Sequence, residues 1–222
     1  MSTLSTVVLG LHVVAGFLAL FAGAGALATE KGGQRHRRLG RTFVYAMAVV
    51  SATAIALLVF EVTDFRVFLA FVAVFSFYFA FSGYRALSRK RPADGPTHVD
   101  WAAVALLAGS GVGMGSTGLV GAFAGTSFAP VVLAFAAIAV VFAVRDVRQF
   151  STPSDGPREW FFDHLTRMCA AYIAAVSAFS AVNFLFLPAV LRWLWPTLVG
   201  TPLIAYWTRR YRKRFETTAS AE

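Results

Sequence analysis

The chain has 222 residues, 58% of them hydrophobic and 14% charged, against about one half and one quarter in a soluble globular domain. That balance excludes an ordinary water-soluble fold. The net charge of +9 lies in short blocks between long apolar runs, so it reads as topology signals and headgroup contacts and excludes a nucleic-acid surface. Cys169 is the sole cysteine, which excludes an intrachain disulfide and a thiolate metal cluster within one chain.

Seven segments come near the roughly 20 residues that span about 30 Å of hydrocarbon. They predict an all-α, single-domain polytopic membrane bundle of seven transmembrane helices. The first, about 4–28, has no Lys or Arg before it and its cations after it. It therefore reads as an uncleaved helix and not as a signal peptide, despite the small residues around Ala26-Leu27-Ala28. His12 lies on it about 12 Å from the outer end, at about 1.5 Å per residue. A lone histidine there reads as a hydrogen bond to a neighbouring helix, ahead of a proton path or a ligand, with Ser177, Ser180 and Asn183 as partners at that depth.

Helices two and three, about 42–60 and 66–84, are joined by Glu61-Val62-Thr63-Asp64-Phe65, which leaves room only for a tight helical hairpin. Helix four, about 101–123, carries Gly109, Gly111, Gly113, Gly115, Gly118 and Gly121. The four-residue spacings within this set predict a close-packing face against a neighbouring helix or a second copy of the chain. A phosphate-cradling loop is the poorer reading, because no strand precedes the run and no lysine lies near it. Helix five, about 128–145, starts by Pro130, which suits a first-turn proline. Helices six and seven, about 161–186 and 189–208, part near Pro188, and a basic tail follows over 209–222.

Charge fixes the expected orientation. Seventeen of the twenty Lys and Arg fall in alternate connections: Lys31, Arg35, Arg37, Arg38 and Arg41; Arg85, Arg89, Lys90 and Arg91; Arg145, Arg148 and Arg158; and Arg209, Arg210, Arg212, Lys213 and Arg214. The other side holds Arg66 and Arg192, and Arg167 lies just inside helix six. The positive-inside rule then predicts an outside N-terminus, a cytoplasmic C-terminus and an odd number of crossings. Tryptophans collect at headgroup level, which predicts Trp101, Trp160 and Trp207 at the inner interface and Trp193 and Trp195 at the outer one.

This topology gathers candidate chemistry at the cytoplasmic ends of helices two, four and six. His36, Arg37, Arg41, Asp100, His164 and Arg167 form the candidate ligand-binding set, because guanidinium forks suit the phosphate or carboxylate of a small anionic or amphipathic ligand, including an anionic lipid. The set His36, His98 and His164 with a nearby carboxylate suits zinc that activates water, and a facing pair of these suits b-type haem, which makes an oxidoreductase or hydrolase the alternative. The bland reading is that His, Arg and Asp sit where water begins. A structural or assembly protein packing through the helix-four glycines is the third class. Within the set, His164 and Arg167 share a helical face one turn apart. An arginine this deep calls for a partner, with Asp100 or Asp163 in reach, and Asp163 is also a match for Arg41.

Some seven-helix functions are excluded. Lys31, Lys90 and Lys213 all lie outside the helices, so no retinal Schiff base forms in the bundle. The paired H-x-x-x-H and H-E-x-x-H spacings and the G-x-S-x-G elbow are missing. Pro196, Gly200 and Pro202 in helix seven are the best match to the broken helix of a transporter.

Several stretches resemble an uncharacterised bacterial polytopic membrane family, domain of unknown function 2306: His36-Arg37-Arg38-Leu39-Gly40-Arg41-Thr42-Phe43, Phe81-Ser82-Gly83-Tyr84-Arg85, Asp100-Trp101, His164-Leu165-Thr166-Arg167-Met168, Ala171-Tyr172-Ile173, Ala181-Val182-Asn183 and Pro196-Thr197-Leu198-Val199-Gly200-Thr201-Pro202. The resemblance implies a multi-pass protein of a bacterial cytoplasmic membrane and carries no catalytic assignment. It places His36, Arg41, His164 and Arg167 inside the matching stretches.

Overall fold

The computed structural model describes residues 2–91, 94–152 and 158–219, and these form seven α-helices. In chain order they are α1 Thr3–Ala28, α2 Gln34–Phe60, α3 Asp64–Ala86, α4 His98–Phe123, α5 Ala129–Ser151, α6 Glu159–Asn183 and α7 Ala189–Ala219. The polar approaches to the apolar runs are helical too. Thus α2 starts at Gln34, well before its first apolar residue, and α7 continues through Arg209–Arg214; residues 220–222 of the basic tail lie outside the described residues.

Local chemistry sets the helix ends. Ser2 Oγ accepts from Ser5 N at 3.2 Å, and Thr63 Oγ1 from Arg66 N at 3.2 Å, each satisfying a free first-turn N–H. The α2–α3 turn is closed by Arg66, which donates to Leu57 O at 2.8 Å and pairs with Glu61 at 2.7 Å. Pro130 occupies the first turn of α5, where a missing N–H costs nothing.

Six helices, α1 to α6, are long and apolar enough to cross a membrane. Their outward faces carry large apolar side chains, Phe21, Val59, Val120, Phe123, Val141 and Val182 among them, that water would not tolerate in this number. α7 is longer still, but Arg192, Pro196, Pro202 and its ring-bearing residues make it less apolar.

α3 is the hub, packing against α2, α4, α5 and α6. Its buried stripe, Phe68, Val72, Phe75, Tyr78, Phe79, Ser82 and Ala86, follows helical three- and four-residue steps. Toward the α3 N-terminus, Phe68 packs edge-to-face with Phe128 at 5.2 Å, Phe135 at 6.0 Å and Trp193 at 5.3 Å. Trp193 is thus buried in this aromatic cluster and does not sit in an interfacial belt. Trp195 points instead to α6, donating to Ser180 Oγ at 2.7 Å.

Most of the helix-four glycines meet helices of the same chain, Gly109 being the exception with open space around it. A Cβ at Gly111 would touch Ala139 and Val140, one at Gly118 would touch Leu133, both on α5, and one at Gly113 would run into the Phe71 ring of α3. Small residues here let α4 and α5 approach backbone to backbone.

Candidate functional site

Opposite the aromatic cluster lies a basic end, where the N-termini of α2, α4 and α6 meet the C-termini of α1, α3, α5 and α7. Contacts of His36 with Ala26 O, Arg85 with Asp100, Gln149 with Asp163 and Arg212 with Glu159 tie those ends together. Here α3 and α6 close on each other at Gly83: a Cβ would stand 3.0 Å from Arg167 Cβ and 3.1 Å from Met168 N. This approach carries His164 and Arg167, one turn apart on α6, onto α3.

Arg167 is 2% exposed and Asp146, on α5, is 0% exposed, so the pair lies out of reach of bulk water and each charge depends on the other. The geometry is a fork. Arg167 Nη1 donates to Asp146 Oδ2 at 2.7 Å and Nη2 donates to Oδ1. The Tyr78 hydroxyl donates to the same Oδ2, and Nη1 also reaches Ser82 Oγ at 3.2 Å. Arg167 Nε is left without a partner among the described residues. Three helices are thereby pinned by one carboxylate.

The expected partners of Arg167 are otherwise engaged. Asp100 takes Arg85 Nε at 3.0 Å, Arg85 Nη2 at 2.9 Å and Arg89 Nη1 at 2.8 Å, and also caps α4 by accepting from Thr97 N at 2.8 Å. Asp163 accepts from Gln149 at 2.5 Å and lies 3.7 Å from Arg145, not beside Arg41. Both expected pairings, Asp100 with Arg167 and Asp163 with Arg41, are therefore corrected. Sequence reasoning missed Asp146, Tyr78 and Ser82. The spacing of Ala136, Ala139, Ala143 and Asp146 becomes a signal only once the three alanines are known to be buried, for then the next member of the stripe is an acid facing the core.

The histidines divide. His36 and His164 stand ring to ring, with centroids 6.4 Å apart and planes at 80°. His36 Nδ1 lies 3.0 Å from Ala26 O and His164 Nδ1 lies 2.8 Å from Gly83 O. His98 opens α4 and is exposed. Among the described residues no three His, Cys, Asp or Glu converge as metal ligands. Beside His36, Lys31 donates to Leu27 O at 2.6 Å and Ala26 O at 3.1 Å, and desolvation among these helix ends lowers its ammonium pKa from the ordinary lysine value. His12 bonds Thr53 Oγ1 of α2 at 2.9 Å, which corrects the expected partnership with Ser177, Ser180 or Asn183.

Two groups of cations have no acidic partner among the described residues. Arg35, Arg37, Arg38 and Arg41, along the first turns of α2, are exposed and make no side-chain ion pair or hydrogen bond among the described residues. On α7, Pro202, Ala205, Tyr206, Arg209, Arg210 and Lys213 line a groove of about 560 Å³. Arg210 touches Tyr206 Oη at 3.3 Å and lies 5.5 Å over the Trp207 ring, while Arg209 and Lys213 have no ion pair among the described residues. A smaller cleft of about 110 Å³, with Arg89, Lys90 and Arg158 facing Asp94, Glu159 and Asp163, carries both signs of charge.

Residues 9–105 match the model of a family described as "Predicted membrane protein (DUF2306)". The match spans α1 to α3 and the start of α4, so it includes His36, Arg41, Gly83 and Asp100 and ends before Asp146, His164 and Arg167. No curated protein and no solved structure matches the chain.

Proposed function

We propose that this chain crosses the cytoplasmic membrane of a bacterium seven times, N-terminus outside, and holds an anionic amphiphile of the inner leaflet along α7. The seventh crossing is supported by the run of α7 beside α6. Trp193 packs at the aromatic end, and Tyr211 meets Phe161 at 5.2 Å at the basic end. The eighteen helical steps between them extend about 27 Å at about 1.5 Å each, close to a hydrocarbon thickness of about 30 Å. The bias of seventeen cations toward the basic end supports a cytoplasmic placement for it.

The α7 groove carries the ligand reading. Leu198, Pro202, Ala205, Tyr206, Arg209 and Lys213 recur every three or four residues and so form one stripe, apolar above and cationic below. An acyl chain lies along the upper part, while a phosphate meets Arg209, Arg210 and Lys213, with Tyr206 and Trp207 at headgroup depth. Of the residues first marked for a ligand, Arg37 and Arg41 keep uncommitted charges and form a second cationic surface, whereas Arg167 and Asp100 are engaged by partners within the bundle.

The test is lipid retention. Purified protein in detergent is given phosphatidylglycerol or phosphatidylcholine, then examined by native mass spectrometry and thermal unfolding. Selective retention of phosphatidylglycerol, lost in the triple variant Arg209→Gln/Arg210→Gln/Lys213→Gln, is expected. Equal retention of both lipids, or a triple variant that behaves like the wild type, refutes the reading.

A further inference from the structure

We propose that His36 and His164 form a two-imidazole site for a monovalent copper ion, separate from the lipid groove. A backbone carbonyl only accepts, so the contacts of His36 Nδ1 with Ala26 O and of His164 Nδ1 with Gly83 O place a proton on each Nδ1. In the neutral ring the lone pair is then on Nε2. Two fixed tautomers thus present two free lone pairs, and a carbonyl holding the far nitrogen is the usual outer support of a metal-bound imidazole.

Geometry and access agree. A metal about 2 Å from each Nε2 in a near-linear arrangement holds the ring centres roughly 6 Å apart, and the separation of 6.4 Å with the planes at 80° leaves that much space, a small turn of either ring bringing both Nε2 atoms onto the ion. Neither Nε2 has a hydrogen-bond partner among the described residues, and neither is sealed from solvent. Gly40, one turn deeper on α2, has nothing within 4 Å of where a Cβ would stand, so no side chain seals this face below His36. Two turns deeper, Phe43 and Tyr172 pack edge-to-face at 6.2 Å between the same helices, so the space suits a bare ion and not a macrocycle.

The donor set selects the ion. Among the described residues no third His, Cys, Asp or Glu joins the pair, so a zinc ion wanting four protein ligands, or three and a water, is poorly served. Two neutral nitrogens without a carboxylate match a low-charge cation with an affinity for imidazole. Lys90, which His164 feels electrostatically, is held over the Trp160 ring at 5.0 Å.

Full-length protein in detergent, stripped with a chelator, is titrated under reducing anaerobic conditions with Cu(I) against a chromophoric competitor and counted by elemental analysis. The expected result is one Cu(I) per chain, with nitrogen neighbours and no sulfur by X-ray absorption. His36→Gln and His164→Gln should each weaken binding beyond the about 10- to 100-fold that loss of an outer-shell partner costs, while His98→Gln and His12→Gln bind as the wild type does. Absence of stoichiometric Cu(I), preference for Zn(II), or retention of Cu(I) in the double His36→Gln/His164→Gln variant overturns the proposal. Since His164 also bonds α3, a His164→Gln chain that fails to fold leaves the decision to His36→Gln, whose half-exposed ring sits in the first turn of α2.

Discussion

Two ion clusters lie at the basic end, and they are built on opposite plans. Asp100 gathers Arg85 and Arg89 from within fifteen residues of itself, and those arginines keep 28% and 13% of their side-chain surface. Asp146 takes Arg167 from another helix and Tyr78 from a third, with almost no surface left to water. Water can replace a lost partner in the first cluster. In the second nothing can, so the charges there are bound to the folding of the bundle.

Removing one partner of the sealed pair tests that difference most strongly. Asp146→Ala leaves the Arg167 guanidinium buried without a counter-charge, a change that costs about 3 to 5 kcal/mol. Unfolding in mixed micelles should show this loss, and the apolar double variant Asp146→Leu/Arg167→Met should recover most of it, because two isosteric apolar groups need no desolvation. Equal losses in Asp146→Ala and in Asp100→Ala would erase the distinction between the clusters.

Gly83 is the hinge of the comparison, since the sealed cluster exists only if α6 comes this close to α3. Gly83→Ala sets a methyl against Arg167 Cβ and the Met168 backbone, neither of which is a flexible side-chain end, and should cost about 1 to 3 kcal/mol. Gly109→Ala, with open space around its Cβ, should be neutral or stabilising by up to about 1 kcal/mol through helix propensity. Thermal unfolding of the two variants side by side measures the value of the close approach. Asp100→Ala comes next: it removes a cap of about 1 kcal/mol and two ion pairs whose arginines keep some contact with water, each of at most about 1 kcal/mol. Its melting point should fall by clearly less than that of Asp146→Ala.

The helices were legible because hydrocarbon thickness dictates their length and apolar residues their composition; Leu4 to Ala28 needs no tertiary information to be read as a helix. The importance of Arg167 was legible for the same reason, as a charge where charges are costly. Its partner was not. Asp146 sits between Arg145 and Arg148, where a carboxylate looks like part of a solvated helix end, and only the rotation of α5 about its axis turns it inward. Rotation is set by the packing of Ala136, Ala139 and Ala143 against α4 and α3, a property of the assembled bundle. The pairing of His36 with His164 was legible as a shared depth but not as a ring-to-ring contact, because depth follows from topology and distance does not.

The smallest effect concerns His12, which tests whether a polar contact outside both clusters behaves like either. The Thr53 hydroxyl has one hydrogen, and its bond to Val49 O at 2.7 Å uses it. His12 must then donate from Nδ1 to Thr53 Oγ1 across the 2.9 Å contact, joining α1 to α2. Thr53→Val removes the acceptor and strands the Nδ1 proton, whereas Thr53→Ser keeps the oxygen. Interhelical hydrogen bonds in bilayers average about 0.6 kcal/mol, so Thr53→Val should lower stability by about that amount and Thr53→Ser by less. Nitrogen chemical shifts of the His12 ring, reporting an Nδ1-protonated tautomer in the wild type and in Thr53→Ser but not in Thr53→Val, separate this account from a simple loss of packing. Because a neutral imidazole can move its proton to Nε2, whereas a buried guanidinium keeps its charge, the loss stays far below that of Asp146→Ala.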